Sequence, residues 1–339
     1  MIVNNSFKFV DLFAGIGGFH LGCVANGGVC VTACEINPSA RAIYASNHEI
    51  QNTLRSAIHD DIYTLNPIKN LDLVCAGFPC QSHSTLGKRR GLHDKRGQLF
   101  KQLCIFIKTS QPRAFLLENV KGLMSSTDFE KSIIKPLQDC GYIVSWSILD
   151  AKNFGVPQHR ERVFIVGRRV STKNSEPDNN NAFNFKSLST QHRHKTIESI
   201  LDPKIDSLES MKNNKYINEN LECNIFNNIK IYNTPHIKPS GFVLRAQLSN
   251  FTNRKLFSSY GIVGTIATSS PPPIYDEKHK LIRHLTKNEL KACQGFPSHF
   301  KFPETMSRSE VVYYLGNAVC VKVISAIVKE MIKQHLIYY

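Results

Sequence analysis

A cysteine set between proline and glutamine, just after an apolar run, is where this chain first offers chemistry. The segment Gly77-Phe78-Pro79-Cys80-Gln81-Ser82 follows the apolar stretch 71–76. A sharp turn of this kind exposes its side chain. The thiolate is the reactive form of a thiol whose unperturbed pKa is about 8.5. Three more segments carry chemistry-bearing residues. Asp11-Leu12-Phe13-Ala14-Gly15-Ile16-Gly17-Gly18 is a glycine-rich turn whose bare backbone lets a ligand approach a helix N-terminus. Glu35 lies about twenty residues further on, where a carboxylate suits a ribose diol. Glu118-Asn119-Val120 closes the apolar run 115–117. In Gln158-His159-Arg160-Glu161-Arg162 the two arginines are two apart, so on an extended segment they share one face and suit a phosphate or a carbonyl oxygen. Taken singly, each segment has a plain reading as well: a buried thiol, a tight turn, a solvated glutamate, a salt-bridged surface.

These residues need elements to hold them. Strands are expected over 8–13, 29–35, 71–76, 114–118 and 163–167, with helices up to about residue 26 and over 39–47 and 98–109. Strands alternating with helices of this length imply a parallel sheet with helices on both faces. Asp11 and Gly15, Glu35, Pro79-Cys80 and Glu118-Asn119 stand where strands end, and open parallel sheets bind ligands beyond the carboxyl ends of their strands. After Gly167 the alternation stops. Residues 174–184 are Asn-rich with Pro177 and read as a linker. The stretch to about 276 reads as a smaller irregular domain, and 320–334 regains a helical apolar stripe.

The chain has 339 residues, 42% of them hydrophobic, enough for one large or two modest domains. It contains no run of about 18 apolar residues, so no transmembrane helix is expected. The start lacks the basic and apolar parts of a signal peptide, so a cytoplasmic location is expected. The ten cysteines (Cys23, Cys30, Cys34, Cys75, Cys80, Cys104, Cys140, Cys223, Cys293, Cys320) show no metal spacing. Apart from Cys80 they read as reduced core thiols, and no metal is expected. Lys and Arg number 42 against 27 Asp and Glu, a formal charge of +15. A polyanion such as nucleic acid would account for that excess, as would a solvated basic surface.

In this order and spacing the segments resemble the DNA cytosine-5 methyltransferase family, bacterial restriction–modification type. The stretches are DLFAGIGGFHLG at 11–22, GFPCQSHS at 77–84, RGQLF at 96–100, ENVKG at 118–122, QHRERVFIVG at 158–167, LTKNELKACQGFP at 285–297 and YLGNAV at 314–319. They cover nearly the whole chain outside the middle. The resemblance implies an α/β fold: a Rossmann-like S-adenosylmethionine-dependent methyltransferase domain with a smaller irregular target recognition domain. The expected bounds are 1–178 for the catalytic domain, 179–298 for recognition domain and hinge, and 299–339 for a segment returning to the catalytic domain.

It further implies that Cys80 adds to carbon 6 of a cytosine flipped out of duplex DNA, that Glu118 contacts N3 and the amino group, and that Arg162 holds O2 with Arg160 close by. The base that removes the carbon-5 proton is not identified. S-adenosyl-L-methionine, leaving as S-adenosyl-L-homocysteine, would lie against Phe13, Gly15, Ile16, Gly17, Gly18, Glu35, Ile36, Asp61, Ile62, Pro79, Leu99, Asn317, Ala318 and Val319. DNA contacts are expected from Gln81, Ser84, Lys88, Arg89 and Arg96 in a loop that closes over DNA, and from Arg245 and Thr265. Gln247, Asn250, Asn253 and Arg254 are further candidates. One departure is His83, which stands where the family usually carries Phe or Trp. The expected partners are double-stranded DNA and a separately acting cognate restriction endonuclease, the chain itself being a monomer. A tRNA cytosine-5 methyltransferase and a non-catalytic DNA-binding protein are the alternatives. A nicotinamide oxidoreductase lacks the third dinucleotide glycine, since position 20 is His.

Overall fold

The computed structural model describes residues 6–48, 58–79, 95–125, 128–170, 181–190, 195–202, 229–237, 243–248, 255–268, 273–279 and 281–338. They fall into two compact units. The first comprises 1–149, 161–189 and 323–339; the second comprises 150–160 and 190–322. The chain therefore crosses between units around 150 and 160 as well as near 190 and 322, whereas the sequence suggested divisions at 178 and 298.

The first unit is built on β1 (Phe7–Leu12), α1 (Gly18–Val24), β2 (Gly28–Cys34), α2 (Pro38–Asn47), β3 (Ile58–His59), β4 (Leu73–Gly77), α3 (Lys95–Ser110), β5 (Ala114–Val120), α4 (Lys135–Gln138), β6 (Tyr142–Asp150) and β7 (Glu161–Arg169). The strands form one sheet in the order β3-β2-β1-β4-β5-β7-β6. The pairs from β3 to β5 are parallel, as expected. β7 departs from the expectation of a parallel sheet, because it runs antiparallel to β5. The reason lies in the connection: 151–160 is shorter than the dozen or so residues a parallel crossover needs, so the strand that follows β6 reverses.

Alternation along the strands divides the core. Val10, Leu12, Val74, Ala76, Phe115, Leu117, Val163 and Ile165 pack with Phe100, Leu103, Phe106 and Ile107 of α3 and with Ile133, Ile134 and Leu137 around α4. The intervening residues Phe7, Phe9, Leu73, Cys75, Leu116 and Val166 are also buried. They share the opposite face with Asp11, because successive side chains along a strand point to opposite sides. On that side the Phe9 and His20 rings meet edge-on at 5.6 Å. The 321–333 helix lies close enough to α1 that a Cβ on Gly22 would fall 2.5 Å from the Ile324 side chain.

The second unit carries a five-stranded sheet in the order β12-β11-β10-β9-β8, from β8 (Ile229–Ile237), β9 (Val243–Leu248), β10 (Lys255–Ser258), β11 (Ile274–Asp276) and β12 (Leu281–Arg283). Helices α5 (Lys287–Cys293) and α6 (Arg308–Asn317) follow, and α7 (Val321–Lys333) belongs to the first unit from Val323 onward. Capping boxes start both α5, through Thr286 and Glu289, and α6, through Ser307 and Glu310. Arg283 is buried and pairs with Asp276 at 2.7 Å and with Glu289 at 2.8 Å. The stretch Arg308–Lys333 is long and apolar enough to cross a membrane by composition, yet 67% of its apolar window is buried inside the protein, the pattern of core helices. Cys23, Cys30, Cys34, Cys75, Cys140, Cys293 and Cys320 are free and buried and Cys104 is half-buried, as core thiols should be.

Asp11 sits fully buried on the α1 face of β1, so it lines the interior rather than the ligand edge. Burial pushes its carboxyl well above the usual carboxylate range. A carboxyl that keeps its proton in the native state while the unfolded chain loses it makes stability fall as pH rises. His20 and His48 work from the other side: burial lowers them to about 3 and about 4, so stability is lost as pH falls below about 6.5. Of these three groups only the aspartate contributes to the slope above that value, and the buried thiols, whose values burial also raises, contribute equally to wild type and variant. Asp11→Asn should therefore gain on the wild type by up to about 1.4 kcal/mol per unit between pH 7 and 9, read from urea midpoints. A gap that stays constant over those two units would mean that Asp11 is ionised. In the second unit, Arg283→Met leaves two buried carboxylates without their cation and should cost about 3–5 kcal/mol in the same measurement.

Candidate active site

The turn after β1 is shaped by positive φ angles at Phe13 (54°), Gly15 (55°) and Gly17 (89°). Gly17 caps α1 in the left-handed conformation. That helix has only seven residues, so the site is made by the turn itself. Its backbone is pinned from three sides. Ala14 N–H donates to the Cys34 carbonyl at 2.9 Å and Gly17 N–H to the Ala14 carbonyl at 2.9 Å. The Glu35 carboxylate accepts from Gly15 N–H at 2.9 Å and from Asn37 N–H at 2.7 Å. Glu35 thus bridges the turns that follow β1 and β2, and its orientation is fixed by two backbone donors. A Cβ built on Gly15 would meet nothing within 4 Å, so the backbone there faces open space.

Beside this turn Ile36 is 75% exposed, an unusual state for an isoleucine next to a rigid carboxylate. Arg41 holds the backbone around it by donating to the Glu35 and Ile36 carbonyls at 2.8 and 2.9 Å. Asp61 begins a turn in which its carboxylate accepts from Tyr63 N–H at 2.9 Å, while Ile62 is buried.

The second part of the site lies where β4 and β5 end. Their register pairs Gly77 with Glu118. The Glu118 carboxylate lies 3.8 Å from the position a Gly77 Cβ would take, so it hangs beside the strand that leads into Pro79. Opposite it, β7 places Arg162 across from Val120 and Phe164 across from Glu118. Arg162 and Glu118 are therefore diagonal neighbours on one sheet face, and Arg162 Nε reaches Glu118 Oε1 at 3.2 Å. Their side chains are 16% and 11% exposed. Each keeps a little solvent access while the pair holds its orientation.

Asn119 points to the other face and is buried. Its amide donates to the Phe78 carbonyl at 2.9 Å, and its side-chain oxygen accepts from Val120 N–H at 2.8 Å. It anchors the strand end one residue before Pro79. The Phe78 ring packs 5.0 Å from Phe100, which fixes the same turn from the α3 side, where Leu99 also packs against the core. Cys80, Gln81, His83, Ser84, Lys88 and Arg89 lie outside the described residues, as do the side chains of Arg96 and Arg245.

Arg160 belongs to the second unit, and its environment differs from that of Arg162. It is buried and donates to the carbonyls of Ile266 at 3.0 Å, Gly316 at 3.0 Å and Ala318 at 2.8 Å. The sequence groups Arg160 with Arg162 and Glu118; these hydrogen bonds of Arg160 run to backbone carbonyls of its own unit, whereas Arg162 meets Glu118. Arg160 instead ties the turn at 316–318 to the 264–266 segment. Gln158 does the same beside it, accepting from Ile266 N–H at 2.8 Å and donating to the Cys293 carbonyl at 2.9 Å. Thr265 is exposed, with its hydroxyl donating to the His159 carbonyl at 2.9 Å. Asn317 donates to the Tyr313 carbonyl at 3.1 Å, while Ala318 and Val319 are buried. Among the described residues no group of three or more His, Cys, Asp or Glu could hold a metal ion.

The description C-5 cytosine-specific DNA methylase matches residues 7–333 as a family model. The chain belongs to the C-5 cytosine-specific DNA methylase family. It is 35% identical to the Type II methyltransferase M.DsaV of Dactylococcopsis salina over 330 residues, covering 96% of this chain and 86% of that protein. It is 31% identical to the Type II methyltransferase M.MspI of Moraxella sp, covering 97% of this chain and 71% of that protein. Among solved structures, the Dnmt2 methyltransferase of S. pombe superposes with a TM-score of 0.68 at 21% identity, covering 96% and 98% of the two chains. That likeness shows the shared α/β fold.

In this cytosine methyltransferase, Asn119 and Gln158 are positioning residues that motif reading passed over in favour of their charged neighbours. Their signal was present: amides that end or precede a strand next to a turn whose carbonyls need donors. Asn119→Ala leaves the Phe78 carbonyl without its buried donor, a loss of about 1–3 kcal/mol where desolvation is complete. Methyl transfer should fall by at least about tenfold while binding of cofactor product, measured by calorimetry, stays within about twofold. Equal loss of both would show general unfolding rather than a displaced turn.

Proposed function

We propose that this methyltransferase transfers a methyl group from S-adenosyl-L-methionine to carbon 5 of a cytosine flipped out of duplex DNA, through a covalent bond to Cys80, as the modification enzyme of a restriction–modification system. The observation that carries this reading is the pair between Glu118 near the carboxyl end of β5 and Arg162 at the start of β7, one strand away from the Pro79-Cys80 step that follows β4.

The chemistry follows from what cytosine lacks. Its carbon 5 is a weak nucleophile until a thiolate adds to carbon 6 and turns the ring into an enamine-like species. Cys80 Sγ forms that bond, and the ring electrons move toward N3 and O2. Glu118 shares a proton with N3 and contacts the amino group, while Arg162 donates to O2 as charge gathers there. Their mutual contact keeps both groups oriented before a base arrives. Carbon 5 then takes the methyl, a base removes the carbon-5 proton, and the ring expels Cys80 Sγ. The base must leave the stack to reach this site, at a cost of a few kcal/mol.

The cofactor residues fit the part. S-adenosylmethionine, when bound, supplies an electrophilic methyl on a sulfonium. The open backbone at Gly15, the fixed carboxylate of Glu35 for ribose hydroxyls, exposed Ile36 for the adenine face and Asp61 with Ile62 for its edge follow the adjacent strands β1, β2 and β3 of the first unit. Phe13, Ile16, Gly17 and Gly18 complete the turn. Pro79, Leu99 and the 317–319 segment are assigned to the cofactor by the family motifs they match.

The formal charge of +15 supports duplex DNA as the partner, with Gln81, Ser84, Lys88, Arg89, Arg96, Arg245 and Thr265 as contacts. The relatives named as Type II methyltransferases support the restriction–modification role and a cytoplasmic location.

The test uses duplex DNA carrying 5-fluorocytosine in a panel of sequences, offered with cofactor. Fluorine cannot leave as a proton does, so the wild type should be trapped as a complex that survives denaturing electrophoresis, whereas Cys80→Ser should form none. Glu118→Gln should lower methyl transfer by about 10²–10⁴-fold with DNA binding retained, the range for losing a proton-sharing group. Transfer to tRNA but to no duplex would replace the DNA reading with the RNA one.

A further inference from the structure

Behind the glycine turn lies a set of buried rings that the proposed chemistry does not use. His48 follows α2 and aims its imidazole back at the turn. Its Nε2 lies 2.9 Å from the Ile16 carbonyl oxygen; since that partner only accepts, Nε2 carries the proton and donates. The ring also occupies the space beside Gly17: a Cβ there would lie 2.1 Å from His48 Nε2 and 2.6 Å from its Cδ2. The ring is itself held in place. It packs against His20 at a 31° tilt with centroids 4.3 Å apart and meets Tyr44 edge-on at 4.4 Å. His20 and Tyr44 are joined by a 2.7 Å hydrogen bond between Nδ1 and the phenol oxygen, and both are buried.

We infer that His48 is a positioning residue for the cofactor turn: its donation to the Ile16 carbonyl and its ring against Gly17 hold residues 15–18 in the conformation that receives the cofactor. The inference rests on the cofactor assignment made above. Two consequences follow from the geometry. The peptide between Ile16 and Gly17 has its carbonyl turned inward to His48, which turns the amide edge of the same peptide the opposite way, because a trans peptide sets its C=O and N–H on opposite sides. Position 17 must also be glycine for two reasons, the left-handed φ of 89° and the imidazole that would meet any Cβ. The Tyr44–His20–His48 ring cluster thus transmits the packing of α2 and α1 to the turn.

The experiment measures binding of S-adenosylhomocysteine to the full chain by calorimetry, alongside methyl transfer at saturating cofactor. His48→Phe keeps an aromatic ring and removes the donor. His48→Gln returns an N–H to the Nε2 position. His48→Phe should weaken binding about tenfold and His48→Gln by no more than about threefold, as expected for one hydrogen bond lost and regained, with kcat in both within about twofold of wild type. Should His48→Phe fail to fold, His48→Leu serves as the variant without a donor. In a His48→Ala background, Gly17→Ala should weaken binding less than it does in the wild type, because the imidazole no longer opposes the added methyl. Binding by His48→Phe or His48→Leu equal to wild type, or His48→Gln as weak as either, would overturn the inference. A wild type that binds no S-adenosylhomocysteine would overturn the cofactor assignment itself, a distinct result.

Discussion

The bridge made by the Glu35 carboxylate between Gly15 N–H and Asn37 N–H is the interaction on which the proposed cofactor edge depends. The turn it anchors runs against ordinary backbone preference. Phe13 holds a φ of 54° without being glycine, a conformation that costs on the order of 1–3 kcal/mol and persists only where its surroundings over-determine it. Here they do: the Cys34 carbonyl holds Ala14, Glu35 holds Gly15, and His48 holds the Ile16 carbonyl. Hydrogen bonds to a carboxylate are worth roughly 1.5–3 kcal/mol each, about what the strained residue loses. Because Glu35 directly follows β2 and Gly15 lies just beyond β1, the parallel pairing of those two strands is what brings the carboxylate to the turn.

A related device sets the catalytic edge. Turns leave carbonyls and amides without ladder partners, and buried ones must be satisfied by side chains. Asn119 does this for Phe78, and Arg160 and Gln158 do it for the 264–266 and 316–318 segments of the second unit. These residues sit inside the motifs whose charged members attract attention. Glu118 and Asn119 are consecutive in β5, so they face opposite sides of the sheet: one is given to the pair with Arg162, the other to the backbone of the next strand. Chemistry and scaffold are thereby interleaved at alternate positions, and moving one residue in register would exchange their roles.

That interleaving explains what could be read from sequence and what could not. The strands β1, β2, β4, β5 and β7 were legible within a few residues, because strands buried on both faces are continuous apolar runs bounded by turn signals. β6 was missed although Tyr142-Ile143-Val144-Ser145-Trp146 has the composition of a strand; its partner β7 is antiparallel to β5, and a reading that expected helix–strand alternation had no place for a strand there. Glu35, Glu118 and Arg162 were legible because carboxylates and guanidinium groups at strand ends stand out. Asp11 stood out for the same reason, yet it lies on the α1 face and is buried, which only the alternation of β1 decides. His48 was invisible: it follows a helix and belongs to no periodic pattern, and its meaning arises only when α2 brings it beneath a turn thirty or so residues earlier.

Arg160 shows why identity at a motif position does not settle a role. It and Arg162 are two apart, and along a single strand they would share a face. But β7 begins at Glu161, and Arg160 stands before it in the second unit, so the face-sharing rule stops between them. Freed from the strand, Arg160 spreads a planar guanidinium across three carbonyls from two separate segments. A lysine could not reproduce this, since its ammonium is a single point charge on a flexible stem, whereas the guanidinium presents its donors in a fixed fork. Its donors there organise backbone in a buried setting. The neighbouring arginine meets a carboxylate instead and retains partial exposure. Two residues of the same type, two positions apart, are therefore divided between backbone carbonyls and a carboxylate by where one strand begins.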